Sequence, residues 1–365
     1  MIRLAISADG HVSEPADLWS RNLPQAKREQ GPRVEVRDGK IAMVVENRII
    51  RRLAEAPPGL PEGPVGELAG WGESSAGARL EALAGDGVWG EVLYPTVAFF
   101  TAYAIEDRQL QAAVCGIYND WLFDSFAGPR FAPVALLPAS DPAGCVREIE
   151  RLAQRRVRAA LLPAHSDALL FNDPAWESLW EAAAGSGVSL SFHAGSGRNQ
   201  APVKGPGGAV TNYVVTLSGP LETMSLLCAS GVLERHPDLS VMLVECGAGW
   251  LAWGMEAMDD AYREHHMYVR PKLAELPSVY FRRQGGVTFQ RDPVGIANRS
   301  FTGDRCLLWG SDYPHPEGTF PKSREILEEQ FSEVAQPTID AMTWRGTAEL
   351  YGIETPAEID AGGAE

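Results

Sequence analysis

The sequence predicts an α/β protein built as a distorted (β/α)8 TIM barrel, with a β-hairpin and loop segment inserted after the first strand. Three observations predict it. Strand-like apolar runs alternate with amphipathic helical stretches through most of the chain, the pattern of βαβ units and parallel pairing. The runs number eight, which suits closure, with a doubly wound open sheet as the alternative. Three runs end abruptly in side chains able to bind a metal, at the C-terminal strand ends where α/β barrels carry their chemistry.

The expected strands are Leu4–Asp9, Val88–Pro95, Phe131–Pro138, Val157–Pro163, Val188–His193, Leu239–Gly247, Val279–Phe289 and Arg305–Asp312. Most are continuous apolar runs, as in strands covered on both faces, and Val279–Phe289 is the weakest of them. Amphipathic helices are expected over Ala113–Phe126, Pro142–Gln154, Pro174–Gly185, Leu221–Arg235 and Trp250–His265. Residues 12–78 break the alternation. They are rich in Pro and Gly, and Asp38-Gly39 between alternating runs signals a type I′ hairpin, so they are expected to lie over the barrel mouth. A second loop, residues 194–218, is expected to share in that lid. Residues 1–354 are expected to form a single domain, followed by a frayed acidic tail over 355–365.

The 365 residues are 45% hydrophobic and carry a formal charge of −16, which argues against nucleic acid or an anionic membrane as partner. The five cysteines are scattered, with no C-x-x-C pair, and read as reduced thiols. The N-terminus has no long apolar signal region, and no stretch reaches membrane-spanning length. A cytoplasmic protein is expected, with homodimerisation left open.

Asp9 and His11 close the first strand two residues apart and so share a face. His193 closes the fifth strand, and Asp312 ends the run Leu307-Leu308-Trp309-Gly310-Ser311. Two carboxylates and two imidazoles form a hard-to-borderline donor set suited to Zn or Mn. Each residue alone has a plain structural reading, a turn cap or a hydrogen-bonded histidine; their coincidence at three strand ends favours one divalent metal ion. Among the others, His165 follows the fourth strand and either reaches the site or sits in a polar loop. Arg198, after His193, is a candidate carboxylate clamp. His315 is held near Asp312 by Pro314 and is placed to orient it. The aromatics Trp71, Phe99, Phe100 and Tyr213 are candidates for pocket walls or lid packing. Gly195-Ser196-Gly197 lacks the spacing of a serine nucleophile elbow, and Gly205-Pro206-Gly207-Gly208 lacks the Lys of a P-loop.

Several motifs together resemble the amidohydrolase superfamily, in the amidohydrolase 2 branch that contains aminocarboxymuconate-semialdehyde decarboxylase and related aromatic-acid decarboxylases. They are Asp9-Gly10-His11-Val12-Ser13-Glu14-Pro15, Tyr94-Pro95-Thr96, Tyr118-Asn119-Asp120-Trp121, Phe192-His193-Ala194-Gly195, Glu234-Arg235-His236-Pro237-Asp238-Leu239 and Trp309–Pro316. The resemblance implies a mononuclear site with Asp9, His11, His193 and Asp312 as ligands and Asp312 also carrying a proton. The family often opens His-x-His, whereas this chain has Asp9, which fits a site tolerant of Mn. After the sixth strand the decarboxylases usually place a catalytic histidine; this chain has Glu245.

The function expected is decarboxylation of a small aromatic or unsaturated carboxylic acid, with Asp312 and Glu245 as the proton-handling residues. The second reading is a metal-dependent hydrolase of an amide, ester, lactone or diketone using the same ligands. The third is an inactive barrel serving as a binding module, which a metal analysis would separate from the other two.

Overall fold

The computed structural model describes residues 1–65, 75–166, 168–197 and 203–360. β1 (Ile6–Val12) comes first, and four strands of the insertion follow: β2 (Arg33–Arg37), β3 (Lys40–Val45), β4 (Arg48–Glu55) and β5 (Gly63–Pro64). Then come β6 (Gly90–Pro95), β7 (Phe131–Leu136), β8 (Ala159–Pro163), β9 (Ser189–His193), β10 (Val241–Val244), β11 (Gly285–Phe289) and β12 (Leu307–Trp309). All eight expected barrel strands are present. They pair in parallel in the order β1-β6-β7-β8-β9-β10-β11-β12, each beside its sequence neighbour, which excludes the doubly wound alternative.

Closure falls between β12 and β1. No ladder joins them; an isolated bridge, Gly10 to Tyr313, does so, with His11 N–H donating to Tyr313 O (2.7 Å) and Asp312 N–H to Asp9 O (2.9 Å). Lower in the same seam the Ser311 N–H donates to Ser7 Oγ at 2.8 Å. Every residue of β1, β6, β8, β9, β10, β11 and β12 is buried, as their continuous apolar runs predict.

The weakest expected strand, the loop 194–218 and the tail depart most from the sequence expectation. Val279–Phe289 is half helix: Pro277 starts the helix Pro277–Gln284, which buries Tyr280 and Phe281, so only Gly285–Phe289 is strand. The loop 194–218 contains a helix, Gly208–Val215, and the tail contains a short one, Ala357–Asp360. Among the described residues no helix is long and apolar enough to cross a membrane.

The insertion is a four-stranded antiparallel sheet in the order β4-β3-β2-β5. Asp38 and Gly39 have φ of 55° and 69°, as a type I′ turn requires. A second such turn at Glu46-Asn47 (φ 48° and 60°) joins β3 to β4 without any glycine. Its strained Glu46 is held by its side chain, which accepts the N–H groups of Glu106 and Asp107, both at 3.0 Å. Arg48 adds a bond to Ala104 O at 2.6 Å. This docking sets β4 so that Arg51, Arg52 and Leu53 line the cavity at the barrel mouth.

Candidate metal centre

The four predicted ligand side chains meet at the C-terminal end of the barrel. Asp9 and His11 leave β1 where its register shifts between Ser7 and Gly10, an irregularity that re-aims side chains at a strand end. His193 ends β9, and Asp312 lies three residues beyond β12. The His11 Nε2 and His193 Nε2 atoms are 3.2 Å apart. Asp9 Oδ1 is 3.6 Å from the first and 3.5 Å from the second, and Asp312 Oδ1 is 3.7 Å from His11 Nε2. Donors held about 2.1 Å from one tetrahedral ion lie about 3.4 Å from each other, so this spacing fits a shared cation.

The tautomers argue the same way. His11 Nδ1 faces Pro95 O (2.8 Å) and His193 Nδ1 faces Ala194 O (3.0 Å). A carbonyl only accepts, so each Nδ1 carries a proton, and a ring with no second proton turns a lone pair on Nε2 toward the other. Burial, with His315 and His193 alongside, pushes the His11 imidazole well below its usual range, which keeps it neutral. Two lone pairs facing each other repel unless a cation lies between them. Asp9 is fully buried with neither carboxylate oxygen hydrogen-bonded, and Asp312 Oδ2 is also unpartnered. Orphaned buried carboxylate oxygens are costly in a folded protein, and a metal ion satisfies them. The residues therefore fit a divalent cation.

Glu245 and His315 complete the cluster: one donor atom each from His11, Glu245, Asp312 and His315 lies within 4.8 Å of the others. Glu245 Oε2 is 3.6 Å from His193 Nε2. His315 Nδ1 donates to Asp312 Oδ1 at 2.8 Å, and its ring packs 4.3 Å from that of His11. Burial pushes the Glu245 carboxyl well above its usual range, reinforced by Asp312, Asp9 and Glu317 and opposed by Arg51. Burial raises Asp312 to about 6, with the His315 bond pulling the other way. Burial works against charge on His315, but the bond to Asp312 and the charges of Asp312, Glu317 and Asp9 together outweigh it, and the imidazole titrates above its ordinary value. Both Glu245 (φ 53°) and Asp312 (φ 55°) are held in the left-handed region that non-glycine residues rarely adopt. Backbone strain at two neighbouring carboxyls is a mark of a functional site.

Above the cluster opens a cavity of about 810 Å³. His11, Glu245 and His315 reach its floor, and Phe99, Phe100, Tyr213 and Trp250 supply aromatic wall. Arg51 enters from the insertion, its guanidinium stacked 4.2 Å over the Phe100 ring. Desolvation lowers the Arg51 pKa, and Glu317 and Glu245 oppose that shift.

The other candidates are distributed differently. His165 is buried but does not line the cavity; its Nδ1 lies 2.9 Å from Glu222 Oε2. Arg198 and Trp71 lie outside the described residues. The sequence reading missed Arg51, whose place depends on how the inserted sheet docks and which no local pattern announces. It also gave no role to Glu14. That buried carboxylate accepts the N–H groups of Thr96 (3.2 Å), Val97 (2.9 Å) and Ala98 (2.9 Å), tying the segment after β1 to the segment after β6. Burial outweighs those three bonds and raises Glu14 to about 7.

Comparison with known proteins places this architecture. A family model described as amidohydrolase matches residues 24–353. No curated protein matches the chain. Among solved structures, an amidohydrolase from Mycobacterium avium subsp. paratuberculosis superposes with a TM-score of 0.78 at 18% identity, covering 97% of this chain and 100% of that one. The 5-carboxyvanillate decarboxylase LigW from Sphingomonas paucimobilis gives 0.69 at 20% identity, covering 96% and 99%. A dihydroxybenzoic acid decarboxylase from a Polaromonas species, solved with bound manganese and an inhibitor, gives 0.64 at 16%, covering 97% and 98%. At these identities the likeness is one of fold.

Proposed function

We propose, from the premise that this chain belongs to the amidohydrolase family, that it is a metal-dependent carboxy-lyase acting on a small aromatic or unsaturated carboxylic acid. The observation that carries the proposal is the buried cluster of two imidazoles with facing Nε2 atoms and two under-bonded carboxylates, opening into an aromatic-walled cavity that Arg51 also lines. Asp9, His11, His193 and Asp312 hold one divalent ion, Mn or Zn. The two-carboxylate donor set supports Mn, as does the manganese in the Polaromonas decarboxylase of like fold. When bound, the ion supplies a Lewis acid that polarises substrate oxygens and offsets developing negative charge.

The chain's own residues do the rest. Arg51, braced on Phe100, lines the same cavity as Glu245 and His315 and offers a cation there to an anionic substrate group. Phe99, Phe100 and Trp250 give an aromatic ring apolar surface to lie against. Cleavage of the bond to the carboxylate leaves an electron pair on carbon, and that carbon takes a proton as CO2 departs. Asp312 delivers it, and Glu245, whose carboxyl burial and the neighbouring carboxyls push above its ordinary range, stands within reach to assist. His315 fixes the Asp312 carboxyl through its 2.8 Å bond. The relatives of like fold that decarboxylate hydroxylated benzoic acids support this choice of reaction.

A second reading, hydrolysis of an ester, amide, lactone or diketone, is favoured by one observation: a carboxyl pair, Glu245 and Asp312, stands where a water could be deprotonated. One experiment separates the two. Protein loaded with Mn or Zn is incubated with a panel of hydroxybenzoic and unsaturated acids while CO2 is measured, and in parallel with esters, amides and lactones. Metal-dependent CO2 release matching substrate loss is expected. Hydrolysis without CO2 from any acid would establish the second reading instead. Glu245→Gln, which keeps volume and hydrogen bonding, should cut kcat by about tenfold or more; a folded variant with native turnover would remove Glu245 from the chemistry.

A further inference from the structure

Behind the cluster, away from the cavity, lies a buried ion pair that the reaction does not use. Arg79, on the helix Ala76–Gly85, is fully buried, as is Glu91 on β6. Its guanidinium grips Glu91 with two bonds, Nε to Oε1 at 2.5 Å and Nη2 to Oε2 at 2.9 Å. The remaining donors turn to the backbone: Nη1 donates to His11 O at 2.6 Å and Nη2 to Tyr313 O at 3.1 Å. The guanidinium also lies 4.3 Å over the Tyr313 ring.

The two carbonyls matter because of where they are. His11 is a ligand residue at the end of β1, and Tyr313 follows the ligand residue Asp312 beyond β12. They face each other across the barrel seam, at the isolated bridge that replaces a ladder between these strands. A cation needed only to neutralise Glu91 has no reason to spread its fork over both banks of that seam. An arginine can do so, because five N–H donors in a rigid plane satisfy a carboxylate and two carbonyls at once; a lysine cannot.

We propose that Arg79, oriented by Glu91, is a positioning residue that straps the seam and so sets the spacing of His11 and Asp312 and the affinity of the cluster for a divalent cation. The proposal rests on the reading that the cluster binds metal. Arg79 touches neither cavity nor cluster and acts through the two backbones. Outer-shell partners of this kind are commonly worth about 10–100-fold in metal affinity.

The test uses two variants and a readout that does not depend on turnover. Arg79→Met combined with Glu91→Leu replaces the buried pair by apolar groups, an exchange that usually leaves stability intact or improved. Arg79→Lys keeps a charge for Glu91 but loses the fork. Mn²⁺ affinity is measured by calorimetry on metal-free protein, and the visible spectrum of the Co²⁺ form reports coordination geometry. Both variants are expected to fold, to bind Mn²⁺ at least about tenfold more weakly than the parent, and to show an altered Co²⁺ spectrum. Parental affinity and spectrum in either folded variant would overturn the strap. Should the double variant fail to fold, Arg79→Lys alone decides. If the parent protein binds no divalent ion, the metal reading falls and the strap with it; if the parent binds and the variants bind equally, only the strap falls.

Discussion

His193 and Asp312 stand at the same end of the barrel, yet the two walls that carry them are built differently. His193 ends a strand laddered on both sides, with register from Ala159–Ser189 to Pro163–His193 against β8 and from Val241–Leu190 to Val244–His193 against β10. Asp312 and its neighbours on β1 have one isolated bridge, and the rest of the seam is joined by Ser7, Ser311, Arg79 and Glu91, all fully buried. A ladder draws on backbone groups that every residue owns, so its wall tolerates any side chain of suitable size. A seam joined by side chains depends on particular residues, and removing one leaves buried polar groups unpaired. The seam buries three of the four proposed ligand residues where backbone pairing between β1 and β12 is limited to one bridge and the bond from Asp312 N–H to Asp9 O, at the expense of that tolerance.

The largest effect should therefore come from a single methyl group in the seam. A Cβ on Gly10 would fall inside contact distance of Glu91 Oε2 and close to Arg79 Nη2, so Gly10→Ala has to push the buried pair apart. Breaking such a pair costs about 3–5 kcal/mol. Behind the ladder wall, Gly185 is exposed on the helix Glu177–Ser186 with open space around it. Gly185→Ala should stabilise by about 0.5–1 kcal/mol through helix propensity. Urea unfolding of both variants checks the contrast; a Gly10→Ala protein as stable as the parent would mean that the seam yields like the ladder.

The next effect is on catalysis. Asp312→Asn keeps the backbone N–H that donates to Asp9 O, and asparagine accepts the left-handed φ of 55° better than most residues. The seam should therefore stay closed while the proton is lost. Turnover should fall at least about a hundredfold, mainly in kcat, with a small change in Tm. Near-native kcat would make Asp312 a structural part of the seam and nothing more.

The ladder wall was legible in the sequence, and much of the seam was not, for the same reason. Continuous runs such as Ser189-Leu190-Ser191-Phe192-His193 mark buried parallel strands, and a metal-competent side chain at the end marks the mouth. That logic singled out Asp9, His11, His193 and Asp312 as candidates, and the family resemblance added Glu245. It cannot find Arg79 and Glu91, which lie on a helix and a strand and acquire meaning only when β1 and β12 meet. Arg51 stayed hidden likewise, because the Glu46 docking that aims it links residues 60 positions apart. Pro277 was the available signal that Val279–Phe289 begins as helix, but Val279, Tyr280 and Phe281 are residue types that strands favour and mask it. His165 matched the positional pattern of a site residue, yet its imidazole is committed to Glu222, a partner from the distant helix Ser218–Ala229.

The smallest effect belongs outside the ladder wall and should leave the site untouched. Glu177 opens the helix between β8 and β9 and takes both Arg235 Nε and Arg235 Nη2 at 2.9 Å, with His236 Nε2 also at 2.9 Å. The Arg235 bonds, with His236 behind them, lower its carboxyl to about 2 from an ordinary 4.5. A depressed folded pKa means the folded state holds fewer protons than the unfolded chain, so the contribution is complete above about pH 4.5 and is lost as pH falls toward 2. Glu177 and Arg235 are both more than 40% exposed, so solvent screening limits the pair to about 1 kcal/mol or less. Glu177→Gln should therefore be slightly less stable than the parent at pH 7, with the gap narrowing between pH 4.5 and 2. Its divalent-metal affinity should equal the parent's. Urea unfolding across that range, paired with Mn²⁺ calorimetry at pH 7, checks both halves. A metal affinity that moved with Glu177 would show the two walls to be coupled, and the division between ladder and seam would have to be given up.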